Sequence, residues 1–353
     1  MAYVKFAYAG FGLTCFCNAL METSIVNSKG YKYYIAAFLC FFLNCFLLTE
    51  VFAQPYPNRP IKLIVPYAPG GGTDITARLV AKILSASLNQ AVLVENKAGA
   101  GGTIGQDFVS KAAPDGYTLL FSAAGPLTVS PFTYPNLPYD PVKSFDPVVL
   151  ISAQPLVLVV NADSKIYSVA DLLKAGAEAK GRINYGSFGN GSAAHLAGES
   201  FKMATKMEMT HIPYKGTNPA LTALLGGDID VLFDTVSTSA PFIKSGKLRG
   251  LAVASKNRSN LLVDIPTMAQ AGVANFEAGT WYGILAPAGT NPQIIQKLNR
   301  SVNTGLNNKE IVDVFTSEGS VVLGGTPDQF KTFMATELKK NELIVKAAGI
   351  TAN

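Results

Sequence analysis

Beyond residue 45 the chain has no cysteine: all four, Cys15, Cys17, Cys40 and Cys45, fall near the start of its 353 residues. Whatever folds after them has no disulfide, thiolate nucleophile or cysteine-ligated metal. Histidine is scarcer still. His195 and His211 stand 16 positions apart, which matches neither an HExxH helix nor a zinc-knuckle spacing. No run of five like charges occurs, and 29 basic against 24 acidic residues give a net charge of +5. That pattern lacks the electrostatic footprint of a nucleic-acid binder. What remains is 48% hydrophobic and 15% charged, a globular composition, at a length that allows two or three domains.

The long apolar run lies at the start. Tyr33 to Leu48 is apolar except for Asn44, Lys29 and Lys32 precede it, and Val51-Phe52-Ala53 suits cleavage before Gln54. These are the parts of an export signal. Its 16 residues fall short of the roughly 20 that span a bilayer, so cleavage near Ala53 is expected rather than a retained anchor. Met21 opens a more ordinary signal sequence than Met1, which leaves the true start at either methionine. Cys40 follows Phe38-Leu39 and Cys45 follows Leu43-Asn44, without the small residue that precedes a lipidated cysteine. The expectation is a soluble exported protein with residues 1–53 removed.

After the leader, periodicity alternates between strand and helix. Ile61 to Tyr67 is a β-branched run, Pro69-Gly70-Gly71-Gly72 breaks it, and Ile75, Leu79, Val80, Ile83, Leu84 and Leu88 recur at helical spacing. Val92 to Glu95 and Tyr117 to Phe121 read as further strands, with the glycine loop 99–102 and a helix near Ile104 to Ala112 between them. A second series runs from strand Leu156 to Val160 through helices near 169–179, 193–204 and 219–225 to strands ending at Phe233 and Ala254. The tail adds strand Tyr282 to Ala286 and helices near 292–306, 309–318 and 327–347, too few strands for a third sheet. Repeated βα units imply a mostly parallel sheet covered on both faces. The expected architecture is α/β with two lobes, 54–152 plus 253–353 and 153–252, joined by crossovers near 148–158 and 248–256 and separated by a cleft.

In open parallel sheets ligands sit beyond the carboxyl ends of strands. Three loops qualify: Tyr67-Ala68-Pro69-Gly70-Gly71-Gly72-Thr73-Asp74, Ser122-Ala123-Ala124-Gly125, and Ser187-Phe188-Gly189-Asn190-Gly191-Ser192, which leads through Ala193 to His195. None contains Lys or Arg. Backbone N–H groups at a helix start can hold an anion without a cationic side chain, so a carboxylate is the natural guest. The same residues also suit tight turns and helix caps. His195 could orient a ligand or bond a neighbouring carbonyl. Asp234, after a strand, could accept a ligand amino group or cap the helix near Thr238, and Trp281-Tyr282 could be core or cleft wall.

Other chemistries fail on spacing. In Gly99-Ala100-Gly101-Gly102-Thr103-Ile104-Gly105 the last glycine falls one residue too far for GxGxxG, and no GK[ST] follows a glycine loop. For GxSxG, Ser187 has Tyr185 and Ser192 has Asn190 where the first glycine belongs.

Several ordered motifs together resemble the periplasmic receptors of tripartite tricarboxylate transporters, the Bug family. They are Arg59 to Asp74, Val94-Glu95-Asn96-Lys97-Ala98-Gly99-Ala100-Gly101-Gly102, Pro114 to Leu120, Gly189 to Glu199, Pro213-Tyr214-Lys215-Gly216 and Leu224-Leu225-Gly226-Gly227. The similarity runs over 54–353. It implies a type II periplasmic-binding-protein (Venus flytrap) fold that closes on a small carboxylate, a di- or tricarboxylate, acidic amino acid or aromatic acid, and presents it to membrane permease subunits. It implies carboxylate contacts from the loop Tyr67–Asp74 and from Gly189–Ala193. Departures occur at Phe233-Asp234-Thr235-Val236-Ser237, where Asn often follows the Asp, and at Ala269 to Asn275. The expectation is a monomeric periplasmic receptor without cofactor, metal or catalysis. An exported solute sensor and a secreted α/β hydrolase are the alternatives.

Overall fold

A computed structural model describes residues 56–179, 182–317 and 319–351. The export signal, its cleavage near Ala53, the alternative start at Met21 and all four cysteines lie outside the described residues.

Strand β1 (Ile61–Val65) is a β-branched run buried on both faces, and it pairs in parallel with β2 (Val92–Asn96) and β3 (Thr118–Ala123). Helix α1 (Gly72–Leu88) leaves the end of β1, buries Ala77, Val80, Ala81, Leu84 and Leu88 at helical spacing, and stops at Asn89 in the left-handed conformation. Helix α2 (Thr103–Ser110) connects β2 to β3.

Strand β4 (Phe145–Asn161) sets the architecture. Its residues 145–155 pair antiparallel with β9 (Gly279–Pro287), which in turn pairs with β3. Its residues 156–161 pair antiparallel with both β7 (Val231–Thr235) and β8 (Leu248–Val253). One strand thus belongs to both lobes. In the second lobe β5 (Asn184–Ser187) lies parallel between β7 and β6 (Thr210–Pro213). The path is β2-β1-β3-β9-β4-β7-β5-β6, with β8 and the short β10 (Val321–Val322) added on β4. The outer three strands at each end are parallel, as repeated βα units require, and the strands that link the lobes pair antiparallel.

Helices α3 (Val169–Ala179), α4 (Ala193–Thr205), α5 (Thr217–Gly226) and α6 (Val236–Lys244) belong to the second lobe. The two expected crossovers meet at a node of three chain passages: Ala254 N–H donates to Leu156 O, Ala278 N–H to Ala254 O and Leu156 N–H to Ala278 O, at 2.8–3.0 Å. Between Ala254 and Ala278 the chain stays on the second lobe, where Phe276 packs against Phe201 and Phe233 at 5.8 and 5.9 Å between ring centroids. From β9 onward it returns to the first sheet with α7 (Pro292–Leu306), α8 (Lys309–Ser317) and α9 (Pro327–Ala348). Phe330 of α9 lies edge-on to Trp281 and closes that side of the core.

Candidate functional site

The lobes meet over a small, mostly enclosed cavity of about 20 Å³, room for a water molecule as the lobes stand. Tyr67, Gly71, Thr73, Ala123, Thr280 and Tyr282 line it from the first lobe, and Phe188, Ala193, Thr217 and Thr235 from the second. None of these residues is charged. Four helices begin at this wall: Thr73 lies in the first turn of α1, Ala193 and Thr217 are the first residues of α4 and α5, and Thr235 is the N-cap of α6. The N-caps of α1, α5 and α6 make no side-chain cap hydrogen bond. Each helix start carries roughly half a positive charge on its N–H groups, so the cavity is electropositive without a cation.

The first-lobe loop is shaped by residues that do not themselves line the cavity. Asp74 accepts from Gly70 N–H and Arg78 Nε through Oδ2 and from Asn96 Nδ2 through Oδ1, each at 2.9 Å. Asn96 Nδ2 also holds Tyr67 O at 3.0 Å. Burial alone would raise the Asp74 carboxyl, but Arg78, the Gly70 amide and Asn96 together outweigh it and hold the group below its ordinary value. The charge is therefore spent on fixing the loop. A side chain at Gly72 would place its Cβ 2.8 Å from Tyr282 Oη and 3.0 Å from Thr235 Oγ1, so glycine lets the start of α1 approach the cavity.

Ala68, Pro69 and Gly70 lie where the lobes touch. Ala68 N–H donates to Lys215 O at 3.4 Å and Asn218 Nδ2 donates to Pro69 O at 2.8 Å. Across the same seam Tyr134 Oη donates to Asn190 O at 3.3 Å, and Tyr67 Oη to Gly101 O at 3.3 Å within the first lobe. Gly101 has φ +64°, and a Cβ there would overlap Asn190 O. Ser122 is buried and hydrogen-bonded to the Gln106 side chain, away from the lining residues, whereas its neighbour Ala123 lines the cavity.

In the second lobe Gly189 and Gly191 adopt φ +122° and +72°. Ser192, fully buried, caps α4 by accepting from His195 N–H at 3.3 Å. His195 also accepts at Nδ1 from Gly191 N–H at 3.1 Å, so the ring bonds a backbone amide rather than the carbonyl that sequence suggested. Asp234 is fully buried and absent from the lining. Its Oδ2 accepts from Thr238 Oγ1 at 2.6 Å and Ser239 Oγ at 2.5 Å, and Thr238 Oγ1 is 2.6 Å from the cavity-lining Thr235 Oγ1. Burial pushes the Asp234 carboxyl up to about 6 against these hydrogen bonds. Of the sequence candidates, Tyr67, Gly71, Thr73, Ala123 and Ala193 converge on the cavity. Asp74, Ser122, Gly191, Ser192 and Asp234 support the walls, and the remaining candidates form the seam or the turns beside it.

Four lining residues were not singled out in the sequence, and a fifth, Tyr282, was read there with Trp281 as core or cleft wall. Phe188 sat unselected inside a candidate loop, Thr217 directly follows the motif Pro213–Gly216, and Thr235 lies inside the stretch Phe233–Ser237 quoted as a departure. Thr280 and Tyr282 line the cavity because β9 alternates: Trp281 faces Phe330 and Phe333, and its two neighbours face the cavity.

The profile of the tripartite tricarboxylate transporter family receptor matches residues 76–350. The chain belongs to this family. It is 40% identical over 304 residues to protein BugT of Bordetella pertussis, an alignment covering 86% of this chain and 93% of BugT. Among solved structures, it is similar to an R. palustris protein with adipate at 34% identity and TM-score 0.82, covering 84% of this chain and 99% of that one. MatC from Rhodopseudomonas palustris with bound malate is 30% identical, with TM-score 0.79, covering 82% and 100%. Receptors of this family are periplasmic binding proteins, and the two-lobed arrangement of this chain is theirs.

Proposed function

We propose that the protein captures a small carboxylate, preferentially a dicarboxylate, between its lobes and delivers it to the permease subunits of a tripartite tricarboxylate transporter. The observation that carries this reading is the convergence of four helix N-termini on a cavity with no charged lining residue. Each charge-assisted bond to a carboxylate contributes about 1.5–3 kcal/mol, so a few amides from each lobe offset the desolvation of a small dianion. An ammonium group would meet no carboxylate, because Asp74 and Asp234 are turned to other partners. This disfavours amino acids. Relatives with adipate and malate support the same ligand class.

In this reading the chain acts by reversible capture without turnover, as a monomer exported and cleaved near Ala53. The ligand groups are the amides of Gly71, Gly72 and Thr73 in the first loop and of Ala193 at the end of the second, with the hydroxyls of Thr73, Thr217, Thr235 and Thr280. The lobes are 56–155 with 279–351 and 156–278; the packing of Phe276 supports placing the second boundary at 278 rather than at 252. Closure draws its free energy from contacts made only in the closed state.

A thermal-shift panel of mono-, di- and tricarboxylates and acidic amino acids tests the proposal. A ligand at 100 times its dissociation constant adds about 2.7 kcal/mol, and dicarboxylates are expected to give the largest shift. A flat panel rejects the reading, and recovery of a chemically altered acid would favour the hydrolase instead. Co-purification with a signalling protein and no permease would favour a sensor.

A further inference from the structure

Neither histidine lines the cavity, yet together they hold both ends of the second-lobe loop. His195 takes the Gly191 N–H at Nδ1, at 3.1 Å. His211, on β6, stacks on His195 with 3.9 Å between ring centroids and 7° between planes. His211 Nε2 lies 2.6 Å from Ser187 Oγ, which accepts from Gly189 N–H at 3.1 Å. The loop that delivers Ala193 to the cavity is therefore tied at Gly189 and Gly191 to two imidazoles in face contact.

An imidazole nitrogen accepts a hydrogen bond only while it is unprotonated. A proton on His195 Nδ1 would point at the Gly191 N–H, and two charged rings stacked face to face would repel. We propose that the His195–His211 stack positions the second-lobe carboxylate loop only while both rings are neutral, so that the receptor holds its ligand at neutral pH and releases it on acidification. This rests on the reading that the 189–193 loop contributes to the carboxylate site.

The surroundings favour the neutral pair. Burial is the main force lowering His195 to about 4, with Glu199 opposing and Lys202 adding. Burial, then His195 and Lys202, lowers His211 to about 3. Glu199 is engaged by Lys202 at 2.9 Å and by Tyr185 Oη at 2.5 Å, and Tyr185 itself stacks on His211. On the other elements packed against α4, Asp234 of β7 is held by Thr238 and Ser239, and Glu337 of α9 lies beside Trp281 and Lys340. Both histidines are depressed relative to 6.5. Their contribution is thus complete above about 6.5 and lost as pH falls toward 4. Asp234, raised to about 6, shifts the other way in the same window, so global unfolding does not isolate the pair and binding must be read directly.

Isothermal titration of adipate and malate into the full mature protein at pH 7.5 and 5.0 tests the inference, with His195→Asn as the comparison. The Asn side-chain oxygen can accept the Gly191 N–H but does not titrate, while the ligand's own protonation enters both curves equally. The proposal takes the rings back toward 6.5 once the loop is released in the open, ligand-free receptor, so wild type is expected to lose about tenfold more affinity than the variant between the two pH values. Parallel curves overturn the inference and leave the carboxylate reading standing. No binding of either acid by wild type at pH 7.5 overturns the carboxylate reading itself. A second measurement needs no variant: in ligand-bound wild type, imidazole nitrogen NMR is expected to show His195 protonated at Nε2 with a midpoint below 5. A midpoint near 6.5 overturns the proposal.

Discussion

The two loops proposed to hold the carboxylate are fixed by opposite electrostatics. In the first lobe a charged side chain, Asp74, gathers Gly70 N–H, Arg78 and Asn96 and fixes the turn through an ion pair. In the second lobe no ion pair among the described residues touches the turn, and the neutral rings of His195 and His211 with Ser187 fix it instead. Both devices keep formal charge out of the cavity and leave the helix starts to face it. They differ in what removes them. The Asp74 carboxyl lies below its ordinary 3.8, so its stabilisation is present above that value and is lost only as pH falls through the lower folded value. The histidine clamp gives way at milder acidity, between about 6.5 and 4.

The comparison breaks most completely where the lobes meet. Gly101→Val would put a side chain into Asn190 O. Closure should fail with both loops intact, weakening dicarboxylate binding by more than about 100-fold, the change that about 3 kcal/mol produces. The φ of +64° adds about 1–2 kcal/mol of backbone cost, so the ligand-free variant should remain folded. Titration calorimetry with small-angle scattering checks this, and a variant that still compacts on adding ligand would contradict it. Gly72→Val acts on one side only. Its side chain meets Tyr282 Oη and Thr235 Oγ1, so binding should fall by about tenfold or more while scattering still reports near-closed lobes.

Asp74→Ala sharpens the difference between the loops. It leaves Gly70 N–H and Asn96 Nδ2 short of an acceptor, at about 1–3 kcal/mol of stability. The Arg78 partner is half exposed and adds little to that figure because water screens it. The affinity of this variant should follow wild type in shape between pH 7.5 and 5.0, displaced but parallel, since Asp74 stays ionised across that range. A curve that flattened in Asp74→Ala would assign the pH response to the wrong lobe.

How far these features could be read in advance follows from the range of the forces involved. Strand and helix periodicities found nearly every element, because apolar burial repeats along the chain: α3 and α7 match their expected spans at 169–179 and 292–306. The glycine loops were legible because a helix start beside a strand end leaves a local signature. The long passage of β4 through both lobes was only half visible, since Pro147 and Pro155 interrupt a run that long-range pairing with β9 and β7 completes. Side-chain direction was the weakest part. Asp74 and Asp234 drew attention as charged groups at strand and helix ends, and both turn to local donors. Thr217, Thr280 and Tyr282, with no charge or motif of their own, reach the cavity through tertiary placement. Nothing in a 16-residue separation foretold that the two histidines stack.

The smallest expected effect falls on the seam itself. Asn218 Nδ2 reaches Pro69 O at 2.8 Å in an exposed position, one of the few side-chain hydrogen bonds linking the second lobe to the first-lobe loop. Water competes for both groups, so Asn218→Ala should cost only about 0.5–1 kcal/mol of closed state and weaken binding about two- to fivefold. Because the bond exists only after closure, the loss should appear as faster ligand release with an unchanged association rate. Stopped-flow measurement of both rates decides it. A slower association instead would mean that Asn218 guides the ligand into the open cleft, and that the first-lobe loop is joined to the second before the ligand arrives.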